Sequence, residues 1–140
     1  MKRQGILRCE AGTVLVEMAM VLPIFLLIAW CVIDFGRAFY TNNSLATAVR
    51  EGARVAAVLE YGADSAASVT EVKAKVAQAF NSFGGTAITP DSIQVTRPDE
   101  GTVRVQVRNY IWKTSTPIKL ISGGQIKMTK TATFRWEFDD

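Results

Sequence analysis

The stretch CEAGTVLVEMAMVLPIFLLIAWCVID, residues 9–34, decides how the rest of the chain is read. From Thr13 to Ile33 it carries one charged residue, Glu17, in 21 positions. At 1.5 Å per residue such a helix is about 31 Å long, which matches the hydrocarbon thickness of a bilayer. Pro23 would break a water-exposed helix, but membrane helices tolerate it. A carboxylate in hydrocarbon is costly and marks a functional position by default, so Glu17 needs an explanation.

Lys2, Arg3 and Arg8 outweigh Glu10 ahead of the span. Positive flanks stay in the cytoplasm, so the amino terminus is expected inside and the carboxyl part outside. A secretory signal would have a shorter apolar core and a small-residue cleavage site after it, and Trp30 to Asp34 offers none. A lipoprotein signal would need an apolar stretch before its cysteine, and Arg8 precedes Cys9. A signal anchor remains, and it leaves Glu17 unexplained.

The 140 residues suffice for one small domain and an appendage. The formal charge is +3, and the sixteen basic residues are spread without a basic, aromatic-interleaved stripe, so no nucleic acid partner is expected. There is no histidine, which removes the commonest general base and metal ligand together. Cys9 and Cys31 would lie about 33 Å apart along a helix, too far for a disulfide. No phosphate loop, nucleophile elbow or zinc-protease motif occurs. Asp99 and Glu100 read as solvated turn residues. No catalytic, cofactor-binding or metal residue is assigned, and the chain reads as a non-enzyme.

Beyond Ile33 the helical pattern continues to about Glu60. Phe35, Ala38, Asn42, Leu45, Val49, Gly52, Ala56 and Leu59 form a narrow stripe of mostly small residues, suited to close approach by another element. Arg37, Arg50, Glu51 and Arg54 lie mostly off it; Glu51 is three residues before Arg54 and can pair with it. After a small-residue loop, Ser68 to Glu71 has the form of a capping box, opening a helix that runs to about Phe83. Its apolar face is Val69, Val72, Val76, Ala79, Phe80 and Phe83, and Gly84-Gly85 supplies the stop.

The period then changes to two. Ile93 and Val95 begin a first strand, and Arg97 to Gly101 is turn-rich enough for a hairpin. Val103, Val105, Val107 and Ile111 face one way in the second strand. A polar loop holds Pro117 and Gly123-Gly124. In the last strand Ile126, Met128, Ala132, Phe134, Trp136 and Phe138 share a face. About three antiparallel strands, one face covered by helices, give an α+β head on a helical stalk. The soluble part is about 105 residues, enough for a modest core.

Two resemblances give Glu17 its place. Gly12, four uncharged residues and Glu17, within a short basic leader that runs straight into the span, resemble the type IV prepilin processing site. That resemblance implies cleavage between Gly12 and Thr13 by a prepilin peptidase, with Glu17 facing the new amino group of a neighbouring subunit. The alternative is that Glu17 snorkels to the cytoplasmic interface, about one helical turn from Thr13. More closely, Val14 to Val58 resembles the TadE-like family, the minor pseudopilins of tight-adherence (Tad, or Flp) pilus systems. The matching pieces are Val16-Glu17, Leu22-Pro23, Asp34-Phe35-Gly36-Arg37 and Arg50-Glu51-Gly52-Ala53-Arg54. Met18 stands where that family often has an aromatic residue, and Asp34 where glutamate is common.

This resemblance implies a leader (1–12), a transmembrane helix (13–33), an extracytoplasmic extension (34–60) and a head (61–140). It implies subunit packing at Glu17, Pro23, Phe35 and Gly36, and a motif of Asp34, Arg37, Arg50, Glu51, Gly52 and Arg54. The implied partners are a prepilin peptidase, other pilins or pseudopilins, the inner-membrane assembly platform and membrane lipid. The implied location is the inner membrane, with incorporation into an extracellular pilus. A type II secretion pseudopilin and an unprocessed anchor with a binding module outside stay open as alternatives.

Overall fold

The computed structural model describes residues 10–59, 65–83, 87–99, 101–114 and 123–135. Cys9, Gly84-Gly85, Glu100, Pro117, Trp136 and Phe138 lie outside them, as do most of the basic leader and of the loop before the second helix.

One helix, α1 (Glu10–Val58), runs unbroken for 49 residues with Pro23 inside it. That is about 73 Å at 1.5 Å per residue. Its first half is apolar all round and exposed, with a mean hydropathy of 2.5 over its most apolar 18 residues and none of that window buried against the rest of the chain. A helix without a polar side and without protein cover is suited to lipid rather than water. Where α1 turns polar, Thr41, Ser44 and Thr47 donate hydroxyl hydrogen bonds to the carbonyls of Arg37, Tyr40 and Asn43. Bonding back one turn lets these residues stay within the helix.

The second half of α1 is covered. Helix α2 (Ala66–Ser82) packs along it, and a three-stranded antiparallel sheet in the order β1-β2-β3 closes the other side. The strands are β1 (Ile93–Asp99), β2 (Thr102–Lys113) and β3 (Gln125–Arg135), and a short 3-10 turn, Pro90–Ser92, leads into the first. The core joins Leu45, Val49 and Ala56 of α1, Val72, Val76 and Phe80 of α2, and the inner face of β2. Phe80 meets Tyr110 edge to face at 5.2 Å. The Tyr40 hydroxyl donates to the Phe83 carbonyl at 3.2 Å, tying the end of α2 to α1. The expected α+β arrangement of a long apolar helix, a second helix and three strands is the observed one.

Four local expectations differ from the structure. The N-cap of α2 is Ser65, so Ser68 lies inside the helix and the expected capping box does not form; the Val69 amide bonds the Ser65 carbonyl. Ala66 and Ala67 are good helix formers and carry the helix one turn further back. Ile111 was expected to face inward with the valines, but it is 43% exposed while Tyr110, Trp112 and Thr114 are buried. The cause is a bulge between Val107 and Tyr110, where Asn109 adopts φ 55° and one extra residue inverts the facing of the rest of β2. Arg97 to Asp99 belong to β1 through a second bulge rather than to the turn. In β3, Met128 is buried and Ala132 half-buried, whereas Ile126 and Phe134 are exposed towards the strand ends.

The buried face of α1 is also wider than the expected stripe. Ser44, Ala48, Ala53 and Ala57 are buried as well, because α2 and the sheet flank the helix on two sides. Phe35, expected at the head of that stripe, is 74% exposed.

Candidate functional site

The residues singled out from the sequence occupy two separate regions of one helix. Gly12, Thr13 and Glu17 lie at the start of α1, on its uncovered part; Thr13 and Glu17 are exposed. They are one turn apart, about 6 Å along the axis. Nothing lies within 4 Å of the position a Gly12 side chain would take. Among the described residues Glu17 makes no ion pair. Pro23 and Gly36 are flanked by exposed side chains, and Gly36 too has open space beside it.

Arg50 to Arg54 lies about 50 Å further along α1. Here the structure divides the motif by facing. Gly52 and Ala53 are buried, and a side-chain carbon on Gly52 would collide with a methyl of Val76. Gly52 is therefore a point of close approach between α1 and α2. Arg50 and Arg54 point outward. Arg54 Nη2 donates to Glu51 Oε1 at 2.8 Å, with a second bond from Nε. That fork lowers the Glu51 pKa and raises that of Arg54. Both groups are exposed, so the pair shapes the surface more than it stabilises the fold.

Between the two regions lies Asp34, which the sequence placed in the motif without showing its surroundings. It is 4% exposed, at the point where α1 meets the end of β2. A buried carboxylate must be partnered, and Asp34 is. It lines a cavity of about 470 Å³ together with Cys31 and Phe35 of α1, Trp112 and Thr114 at the end of β2, and Ile126 of β3. Arg37 is exposed one turn on. This cavity was not legible in the sequence, since the β2 bulge is what turns Trp112 and Thr114 towards α1. Among the described residues no group of three or more His, Cys, Asp or Glu is placed to hold a metal ion.

The arrangement thus suits insertion and packing, with a bare apolar rod, a carboxylate set in it, and a folded head clamped on its far half. Residues 12–54 match the family model described as TadE-like protein. The amino-terminal part of this chain is TadE-like. The matched segment runs from the glycine ahead of the span to the arginine that closes the Glu51 pair, so it contains both regions and Asp34. No curated protein and no solved structure matches the chain. The TadE-like match suggests involvement in Tad pilus systems. Among the described residues one helix is long and apolar enough to cross a membrane, which suggests a single-pass membrane protein.

Proposed function

We propose that this chain is a minor pseudopilin of a Tad (Flp) pilus system, cut between Gly12 and Thr13 by a prepilin peptidase before it takes part in pilus assembly. The observation that carries the reading is the TadE-like match over residues 12–54, which spans the basic-leader boundary, Glu17 and the arginine motif in one register. The basic flank favours insertion with the amino terminus in the cytoplasm and the head outside. Cleavage turns Thr13 into a free amine at the edge of the span. In a bundle of such helices that cation meets the Glu17 carboxylate of a neighbour, and a charge in low dielectric is tolerated when so paired.

On this reading residues 1–12 are the leader, 13–33 the span, 34–60 the extension and 61–140 the head. Pro23, Phe35 and Gly36 lie on the uncovered stretch of α1 and are available to other pilins or to the inner-membrane platform. Arg50 and Arg54 are outward-facing cations for acids of a neighbouring subunit.

The deciding experiment is mass spectrometry of the protein extracted from the membrane of a host with its Tad machinery. The expected amino terminus is Thr13, and Gly12→Asp is expected to leave the leader attached. An intact Met1 terminus on working protein, or efficient cleavage of Gly12→Asp, would overturn the processing site.

A further inference from the structure

The cavity at Asp34 lies at the boundary of the span. Its α1 lining runs from Cys31 to Ala38, about 10 Å of helix that straddles the end of the apolar stretch. The sheet reaches the same level. Gly52 faces Val105, while Ala38 shares the cavity with Trp112. From Gly52 back to Ala38 is about 21 Å of helix, and from Val105 on to Trp112 about 23 Å of strand. Strand β2 therefore runs down α1 towards the apolar span, and its end lies level with the end of that span.

Three features of this level fit lipid. The cavity wall is almost wholly apolar and is continuous, through Cys31 and the exposed Val32, with the lipid-facing surface of the span. Trp30, Phe35, Phe39 and Tyr40 are exposed around it, the aromatic belt of a membrane interface. Arg37, Lys113 and Lys127 are exposed at the same level, the two lysines on the outer face of the sheet, where they can reach lipid phosphates. Water is poorly held in an apolar space, whereas a hydrocarbon chain enters from the bilayer without desolvation. The volume lies in the range of small-ligand sites, about 300 to 1,000 Å³.

We propose that this cavity takes an acyl chain of a membrane lipid, seating the head on the bilayer with Lys113 and Lys127 at the lipid phosphates. The proposal rests on the single-pass membrane reading and not on processing or pilus assembly.

The test uses the full chain in phosphatidylcholine vesicles whose lipids are brominated near the head of one chain. With Trp30→Phe and Trp136→Phe, emission reports on Trp112; with Trp112→Phe and Trp136→Phe, it reports on Trp30. Brominated lipid is expected to quench both, with a loss of about half of the Trp112 emission for a ring at this interfacial depth. Filling the cavity by Ala38→Leu, or by Val32→Phe from its exposed side, is expected to restore Trp112 emission and leave Trp30 quenched. Quenching of Trp30 without Trp112 would overturn the proposal, and a Cys31–Cys31 cross-link in Cys9→Ser protein would then identify a second copy as the occupant. Unchanged Trp112 quenching in both filled variants would also overturn it, since lipid would then reach the ring outside the cavity. An unquenched Trp30 would remove the membrane reading with it, whereas a retained leader would overturn processing alone.

Discussion

Gly52 shows how closely a single residue can fix a packing distance. The space where its Cβ would sit is taken by Val76, and Val105 lies just beyond. Gly52→Ala gains about 1 kcal/mol of helix propensity. It forces two packed helices apart, at about 1–3 kcal/mol for overpacking. The expected net result is a lower urea midpoint of the detergent-solubilised chain, followed by near-ultraviolet circular dichroism. Adding Val76→Ala should recover part of the loss, because the second change removes the obstructing methyl. Additive losses in the double variant would contradict the contact. The sequence had put Gly52 in a stripe of small residues suited to close approach, and only the partner was missing. The Glu51–Arg54 pair was legible too, since three residues on a helix bring side chains together. Its pH behaviour follows from the sign of the shift. Because the folded Glu51 pKa is lowered, the pair contributes above the ordinary glutamate value and is lost as pH falls through the lowered one. Carboxyl carbon NMR should place the Glu51 midpoint below that of an ordinary glutamate, and Arg54→Gln should bring it back. An unshifted midpoint in the parent would show the fork to be open in solution. Asp34 was not legible in the same way. Its burial comes from the end of β2, some eighty residues away in the chain.

The elements were read correctly in kind and misread where one residue changes the count. A strict period of two carried Val103, Val105 and Val107 inward and then put Ile111 with them. Asn109 breaks that count. Asparagine enters the left-handed region more readily than other side-chain-bearing residues, and its φ of 55° absorbs the extra residue of the bulge. The available signal was the pair Tyr110 and Trp112, two large aromatics in the opposite phase to Ile111. Asn109→Gly is expected to leave thermal stability within about 1 kcal/mol of the parent, since glycine accepts the same backbone. Asn109→Val is expected to cost about 1–2 kcal/mol, because a β-branched residue is poorly tolerated there. Equal melting of the two variants would mean that the bulge is not held by this residue. Pro98 fits the same logic on the other side of the sheet, as an edge strand next to a bulge accommodates a residue without an amide hydrogen. The helix starts were blurred for another reason. Ser65 and Ser68 are both acceptable caps, and the choice falls to Ala66 and Ala67, whose propensity favours the longer helix.

Taken whole, the molecule is one helix with two solvents. From Leu45 to Ala57 α1 is covered by α2 and the sheet, and from Thr13 to Ile28 it is bare. This division was visible in hydropathy alone, because no protein layer is available to cover 21 apolar residues outside a membrane. It also isolates Glu17 from the fold, since the nearest fully buried core residue, Leu45, is about 42 Å away along the helix. Lipid gives apolar helices no hydrophobic reason to associate, so polar contacts and close packing have to select their partners. Glu17→Ala should therefore separate insertion from assembly. Removing a carboxylate eases entry into hydrocarbon, and membrane levels of the protein are expected to stay the same or rise. The melting of the head should not change. If the carboxylate pairs with the Thr13 amine of a neighbour, that partner is lost with it, and pilus output should fall steeply. Immunoblots of membrane and shed-pilus fractions, set beside the melting curve of the extracted variant, test all three at once. Normal pilus output from an alanine at position 17 would leave the charge with no role in assembly, and Glu17 would then be a residue that only snorkels to the interface.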